Sequence, residues 1–281
     1  MQTEQKHLVK QSLNDYVAGF PSQNKAANSL KDVSSATISQ ILSDKWELIS
    51  DNMWNNVAKQ IGFTQNEWNL VETVDYRMMT NLLADAQQNN NVYAVVGAAG
   101  TGKTASIKAF RQNNKQTYVL SCNEFWNRKY FLGELLNAMG RDESGLTVAE
   151  MMYEVVSNLK KQKAPLIIMD EADKLSDQVL YFFITLYNQL EDQCGIVLCA
   201  TNHLEKRIKR GLKLNKKGYS EIYSRMGKRF LMLNGVTSSD IRQVCQANGV
   251  LDEKHIKEVT LATENDLRQV KKMIHVIKLQ A

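Results

Sequence analysis

Proline and cysteine are scarce in this sequence, and long apolar runs are absent from it. Two prolines among 281 residues argue against long disordered linkers. The four cysteines show no Cys-x-x-Cys spacing, so we expect reduced, mostly buried thiols in a cytoplasmic protein. No apolar run approaches the ~20 residues of a membrane span, and residues 1–6 lack the apolar core of a signal peptide. The sequence therefore predicts a chain that is neither secreted nor embedded in a membrane.

Length and composition are sufficient for a folded core. The hydrophobic share of 43% is ample, and 281 residues correspond to about two domains. The formal net charge of +5 is mild evidence for an acidic partner such as nucleic acid. Charge alone does not decide between partners, so the functional argument depends on the motifs.

A glycine-rich segment lies between an apolar strand pattern, residues 92–96, and a helical pattern, residues 105–111. Its residues are Gly97, Ala98, Ala99, Gly100, Thr101, Gly102, Lys103 and Thr104. Glycines let backbone N–H groups turn inward, and a helix N-terminus favours anionic phosphate. In such a P-loop the Lys103 side chain reaches the β- and γ-phosphates, and the Thr104 hydroxyl ligates Mg²⁺. The context predicts that this chain binds a nucleoside triphosphate, ATP, with Mg²⁺.

A second motif ends an apolar strand pattern, residues 166–169, with two carboxylates, Asp170 and Glu171. It follows the P-loop by about 65 residues, among alternating strand and helix patterns, which makes the pairing specific. Asp170 is predicted to hold Mg²⁺ indirectly together with Thr104, and Glu171 to polarise the attacking water. Asn202, at the tip of the next strand pattern, is placed to hydrogen-bond the γ-phosphate and that water.

Residues 1–64 show only helical patterns and are predicted to form an all-α domain. A short helix over residues 23–30 and a second over 34–43 resemble a helix-turn-helix of the Cro/repressor class, with residues 31–32 where a glycine usually lies. Small or amide-bearing residues of the second helix that could meet base edges are Ser35, Thr37 and Gln40. A small helical bundle used for protein contacts is the alternative.

A further helical pattern over residues 66–88 leads into the P-loop strand, and we place the domain boundary after residue 64. The predicted domains are 1–64, the helix-turn-helix; 65–235, the ATPase core; and 236–281, a helical lid. The basic tract 206–217 has two equally weighted interpretations: contact with the DNA backbone, or a solvated loop. Its candidate DNA contacts are Lys206, Arg207, Lys209 and Arg210.

These motifs, in this order, resemble those of the AAA+ ATPases over residues 66–280. Residues 223–227 resemble the Ser-Arg segment that carries an arginine finger, and residues 265–268 resemble the sensor 2 segment. The resemblance assigns the finger to Arg225 and sensor 2 to Arg268, and Asn202 becomes sensor 1. Arg229 rivals Arg225, because cations four residues apart share a helix face. The resemblance implies a parallel P-loop α/β sheet with helices on both faces and a small helical lid. It also implies a homo-oligomer, because an arginine finger acts across the interface between two subunits.

A helix-turn-helix followed by this module resembles the transposition ATPases typified by the phage Mu B protein, with TnsC-type and IstB-type relatives. The resemblance implies an ATPase that assembles on double-stranded DNA, as a helical filament or ring, and delivers target DNA to a transposase that it activates. The implied location is a bacterial or phage-infected host cytoplasm. By the same resemblance, Arg128 and Lys129 are candidate DNA contacts. A helicase loader or replication initiator, and an ATP-switched transcription regulator, remain open alternatives.

Overall fold

The computed structural model describes residues 3–63 and 68–280, and the chain divides into two compact units after residue 68. The predicted boundary after residue 64 lies outside the described residues, so that boundary and the one after residue 235 stay predictions. Every helix in the described ranges is too short or too polar to cross a lipid bilayer.

The first unit consists of helices around one small core. Its α-helices are α1 (Thr3–Ala18), α2 (Gln23–Asn28), α3 (Ser35–Leu42) and α4 (Asp51–Gln60), with a 3-10 turn at Trp46–Leu48. Leu13, Ile38, Ile41 and Trp54 are fully buried and pack together, so the apolar faces of α1, α3 and α4 meet.

The turn between α2 and α3 forms without the glycine that is usual in a helix-turn-helix. Asp32 takes a left-handed conformation with φ 59°, which a short polar side chain tolerates best after glycine. The Ser34 hydroxyl then caps α3 by accepting a hydrogen bond from the Thr37 N–H at 3.0 Å. Helix α2 ends at Asn28, two residues before the predicted end.

The second unit contains a five-stranded parallel sheet in the order β2-β3-β4-β1-β5. Its strands are β1 (Val92–Val96), β2 (Thr117–Ser121), β3 (Leu166–Asp170), β4 (Gly195–Ala200) and β5 (Leu231–Met232). The pairing sets Val96 beside Ala200, and Ser121 beside Asp170, at the carboxyl ends of the strands. The P-loop and the acidic motif therefore meet at one edge of the sheet.

Helices cover both faces of this sheet, which confirms the predicted fold class. They are α5 (Val74–Asn89), α6 (Lys103–Asn113), α7 (Arg128–Ala138), α8 (Val148–Lys160), α9 (Asp177–Leu190), α10 (Asn202–Lys213), α11 (Tyr219–Arg225), α12 (Ser238–Ala247), α13 (Glu253–Ala262) and α14 (Leu267–Gln280). Along β1, Ala94 and Val96 pack into one core with α7 to α11, whereas Val95 packs into the other with α5 and α6. Helices α12 to α14 contact one another and form the lid.

One predicted helix begins later than expected, and most of the basic tract is helical. The helix predicted over residues 66–88 begins at Val74, because the Thr73 hydroxyl caps it by accepting from the Tyr76 N–H at 3.2 Å. Residues 68–73 are not helical, and residues 66–67 lie outside the described part. In the basic tract 206–217, α10 continues to Lys213, so the loop alternative fails for residues 206–213.

All four cysteines are free and buried, as predicted. Burial raises the pKa of the Cys194 thiol to about 12 and also raises the pKa of Cys122 and Cys199. A thiol held in its protonated form is a poor nucleophile and a poor metal ligand. The cysteines therefore contribute packing rather than chemistry.

Candidate nucleotide site and DNA-facing surfaces

The P-loop runs from the end of β1 to Thr104, the second residue of α6. Gly100 and Gly102 have φ values of 77° and 90°, which side chains other than glycine rarely adopt. The Lys103 ammonium donates to the carbonyl oxygens of Gly97 and Ala98, each at 2.7 Å. Burial lowers the pKa of Lys103, while the charge of Asp170 opposes that shift. The P-loop thus holds the Lys103 ammonium at the N-terminus of α6.

Asp170 joins the second motif to the first. Its carboxylate is buried, accepts a hydrogen bond from the Thr104 hydroxyl at 2.7 Å and accepts another from the Glu171 N–H at 3.0 Å. A hydroxyl beside a carboxylate is a donor set that suits Mg²⁺, which takes its other ligands from phosphate and water. The described residues hold no cluster of three or more carboxylate, imidazole or thiol groups able to bind a metal by themselves. The site therefore fits a cation that arrives with a nucleotide.

Asn202 is the first residue of α10, two residues after β4 ends at Ala200, and not the last residue of the strand as the sequence predicted. The neighbouring Thr201 caps that helix, and its hydroxyl donates to Asp173 at 2.6 Å. The Asn202 amide oxygen is buried without a hydrogen-bond partner among the described residues. An unpaired buried acceptor is costly, so this atom marks a place for a donor such as water.

The lid contacts the P-loop directly. The Leu267 N–H donates to the Gly100 carbonyl at 3.0 Å, and the Asp266 carboxylate caps α14 by accepting from the Arg268 N–H at 2.7 Å. Burial lowers the pKa of Lys103, and the charge of Arg268, the residue after Leu267, acts in the same direction. The structure thus brings Arg268 to the P-loop. Sequence reasoning gave Asp266 no role, and no local signal indicated one.

Replacing Gly100 by alanine should uncouple the lid from the P-loop. A Cβ atom there would lie 2.2 Å from an Asp266 carboxylate oxygen, and φ would be strained as well. We expect loss of nucleotide binding, measured by titration with a fluorescent ATP analogue. Gly140→Ala is the matched control, because Gly140 has φ 69° but no atom within 4 Å of its Cβ position. Equal affinity in both variants would contradict the steric argument.

Arg225 ends α11 and is held against α9. Its guanidinium lies 5.2 Å from the centre of the Tyr187 ring, and its Nε donates to the Asn188 amide oxygen at 3.3 Å. Arg229 does not share its helix face, as the spacing had suggested, because the helix stops at Met226 and the chain turns through Gly227.

In the basic tract, some cations pair with a carboxylate, and others are exposed without such a pair in the described part of the chain. Arg207 is partly buried; it pairs with Asp177 and donates to the Leu175 carbonyl at 2.6 Å. Its guanidinium links α10 to the start of α9, so its assignment as a DNA contact is not supported. Lys206 and Arg210 are exposed, and Lys209 is exposed and paired with Glu205 at 2.6 Å. These three residues keep their place as candidates.

Arg128 and Lys129 are exposed in the first turn of α7, where the Asn127 side chain caps the helix by accepting from the Tyr130 N–H at 3.0 Å. Two aromatic rings flank them. Phe125 is 68% exposed, Tyr130 is 57% exposed, and their ring centres lie 6.4 Å apart. Two cations beside two exposed rings are a composition that suits nucleic acid.

In the first unit, the predicted base-reading residues are partly engaged. The Gln23 amide donates to the Ser35 carbonyl at 2.8 Å and to the Ser39 hydroxyl at 2.6 Å. The Thr37 hydroxyl is 2.9 Å from that of Ser34, which leaves Gln40 as the most available of the three.

Comparisons with known proteins agree with this geometry. Residues 86–208 match the AAA domain family. The Haemophilus influenzae "Mu-like prophage FluMu DNA transposition protein B" is 27% identical over 199 residues, 69% of this chain and 67% of that protein. The "ATP-dependent target DNA activator B" of Escherichia phage Mu is 22% identical over 235 residues, 80% of this chain and 72% of that protein.

A solved structure shares the fold. Cdc6p from Pyrobaculum aerophilum superimposes with a TM-score of 0.56 at 16% identity, over 77% of this chain and 63% of that one. At this identity the match speaks for the fold alone. The sheet order, the AAA domain match and the named relatives agree. The chain therefore contains an AAA domain and resembles the Mu-like prophage DNA transposition protein B and the target DNA activator B of phage Mu.

Proposed function

We propose that this chain is an ATP-dependent DNA-binding ATPase that delivers target DNA to a transposase and activates it. The observation that carries the proposal is the contact of Thr104 with Asp170 beneath the P-loop, in a chain whose relatives are named as a DNA transposition protein and an ATP-dependent target DNA activator. The contact joins a phosphate-binding loop to the carboxylate that a hydrolytic site needs. The proposed role in transposition comes from the names of these relatives.

Each residue of the site has its own role in binding or hydrolysing ATP. Lys103 and the backbone of the P-loop bind the phosphates, and Thr104 with Asp170 would hold Mg²⁺, which neutralises charge on the β- and γ-phosphates. Glu171 accepts a proton from the attacking water, and Asn202 orients that water through its unpaired amide oxygen. Arg268 follows Leu267, whose N–H donates to the Gly100 carbonyl, and would act on the phosphates from the lid. Hydrolysis to ADP and phosphate follows from these roles.

The DNA-binding part of the proposal depends on exposed cations. Lys206, Arg210, Arg128 and Lys129 are exposed, and such cations bind phosphates without reading bases. Affinity for DNA is then weakly dependent on sequence and falls steeply with salt. ATP shared between neighbouring copies would couple assembly on DNA to the nucleotide, since removal of the γ-phosphate loosens that interface.

The decisive experiment is negative-stain microscopy of the chain with a random-sequence duplex, with and without a slowly hydrolysed ATP analogue. We expect protein to coat the DNA only when the analogue is present. Adding a purified transposase from the same element should then raise phosphate release. Closed rings that leave DNA uncoated would favour a helicase loader, and dimers at spaced sites would favour a transcription regulator.

Arg225→Ala should leave nucleotide binding intact while hydrolysis and assembly on DNA fail. A cation that acts across a subunit interface stabilises the transition state of the neighbouring site and contributes about 10³-fold or more to the rate. Phosphate release and microscopy of the assembled state measure the effect. Arg229→Ala is the matched control and should retain both properties. The finger assignment would move to Arg229 if that variant alone showed the loss.

A further inference from the structure

Arg207, in the second turn of α10, joins that helix to the segment that follows the acidic motif. Its Nε donates to an Asp177 carboxylate oxygen at 3.1 Å, and its Nη2 donates to the same oxygen. Its Nη1 donates to the Leu175 carbonyl oxygen at 2.6 Å. These acceptors lie at the start of α9 and in residues 171–176, which connect the end of β3 to α9. One planar guanidinium therefore holds two consecutive parts of the chain against α10.

Tyr219, the first residue of α11, completes this cluster. Its hydroxyl donates to the same Asp177 oxygen at 2.8 Å and accepts from the Arg207 Nε–H at 3.3 Å. Its ring lies directly on α10, where a Cβ atom on Gly211 would be 2.3 Å from a ring carbon. The ring also meets that of Tyr181 in α9 edge to face, with the ring centres 5.8 Å apart. Packing and hydrogen bonds thus fix α9, α10 and α11 to one another at this point.

A second contact holds the start of α10 to the same segment. The Asp173 carboxylate accepts from the Thr201 hydroxyl at 2.6 Å and from the Thr201 N–H at 3.4 Å. The Thr201 hydroxyl in turn accepts from the His203 N–H at 3.3 Å. Asn202 lies between these two residues, and its buried amide oxygen has no hydrogen-bond partner among the described residues. Contacts at residues 201 and 207 therefore fix the position of Asn202 relative to the acidic motif.

The pair of Arg207 with Asp177 is better explained by geometry than by stability. The two side chains are only 25% and 43% exposed, and an ion pair partly withdrawn from water adds little net stability, because desolvation offsets the attraction. Its hydrogen bonds are directional, so they set the distance and angle between the segments that they join.

We propose that Arg207 is a positioning residue for ATP hydrolysis, which holds α10 so that the Asn202 amide orients the attacking water. The inference rests on the proposed function, because it requires Asn202 to act on that water. It assigns to Arg207 a role inside the ATPase core in place of a contact with DNA. Asp177 and Tyr219 share this role, since both hold the guanidinium in place.

The test measures kcat and KM for ATP of Arg207→Ala, with a saturating random-sequence duplex. We expect kcat to fall about 10- to 100-fold, because a displacement of roughly 1 Å in a positioned group has an effect of that size. KM should not change, since the P-loop is untouched. Arg207→Lys keeps the charge without the planar fork and should recover only part of kcat. Affinity for DNA at equal salt should be unchanged.

Two further variants guard against a general loss of structure. Tyr219→Phe keeps the ring on Gly211 and removes only the hydroxyl, so it should lower kcat by a smaller factor at unchanged KM. It carries the test by itself if Arg207→Ala does not fold. Arg242→Ala is the matched control, because it removes an arginine that pairs with Glu253 in the lid. Its kcat should equal that of the unaltered chain.

A double variant shows whether Arg207 acts through Asn202. Arg207→Ala with Asn202→Ala should be no slower than Asn202→Ala alone, because a residue that only positions Asn202 has no effect once that amide is gone. Losses that multiply in the double variant would overturn the inference. It would also be overturned by an unchanged kcat in Arg207→Ala and Tyr219→Phe, and weaker DNA binding alongside that result would return Arg207 to the DNA surface.

These outcomes are distinct from failure of the proposed function. If Asn202→Ala hydrolyses ATP at the full rate while Glu171→Gln is inactive, the inference is overturned and the assignment as an ATPase stands. If Glu171→Gln also hydrolyses ATP at the full rate, both are overturned.

Discussion

The Glu171→Gln variant is expected to hydrolyse ATP about 10²- to 10⁴-fold more slowly, the range typical for loss of a general base. The amide cannot accept the proton of the attacking water, whereas the P-loop and the contact of Thr104 with Asp170 remain intact. ATP should therefore stay bound, and assemblies on DNA should persist. Steady-state phosphate release and the lifetime of DNA-bound assemblies after ATP addition measure the two effects.

Glu253→Gln is the matched control for that variant. Glu253 is an exposed carboxylate that pairs with Arg242 in the lid, so its replacement removes the same charge and a similar ion pair away from the P-loop. Its hydrolysis rate should equal that of the unaltered chain. Rapid disassembly of the Glu171→Gln protein after ATP addition would contradict the role of Glu171.

Replacing Lys103 by alanine should weaken nucleotide binding by roughly 10- to 100-fold, because hydrogen bonds to charged groups contribute about 1.5–3 kcal/mol each. Lys103 already lies in the loop, donating to the Gly97 and Ala98 carbonyls, where bound phosphates would replace those acceptors. ATP-dependent DNA binding should be lost with the nucleotide. Calorimetric titration with an ATP analogue and salt-controlled DNA-binding measurements follow the two steps.

Lys108→Ala is the matched control, since Lys108 is an exposed lysine on the same helix. The control keeps the helix and loses the same charge, so it should bind nucleotide and DNA as the unaltered chain does. Undiminished DNA binding by Lys103→Ala at equal ATP would show that nucleotide and DNA binding are not coupled.

Local patterns were enough to predict the centre of the site. The P-loop and the acidic motif each depend on a few neighbouring residues: glycines that permit positive φ, a lysine and a threonine at a helix start, and carboxylates after an apolar strand. Parallel strands bring their carboxyl ends to one edge of a sheet, so the meeting of Thr104 with Asp170 followed from the alternation of strands and helices.

Predictions about residues whose partners are distant in sequence were less accurate. Nothing local distinguished Arg207 from Lys206, yet the first is held by Asp177 and the second is exposed. The helix that precedes β1 was predicted to begin too early, because Thr73 caps it at a point that periodicity does not reveal. The Asp75 carboxylate in that helix accepts from the Asn234 and Gly235 N–H groups, which the sequence did not suggest.

The sequence by itself therefore determined which chemical groups the site contains and the order in which strands and helices deliver them. Only the tertiary structure decided which of those groups are available. Asp266 lies against Gly100 because the lid folds onto the P-loop, and Arg207 pairs with Asp177 because α10 packs beside the start of α9. The reason is physical: a pattern of residues records charge and periodicity, whereas the state of a charged group depends on which distant group is packed against it.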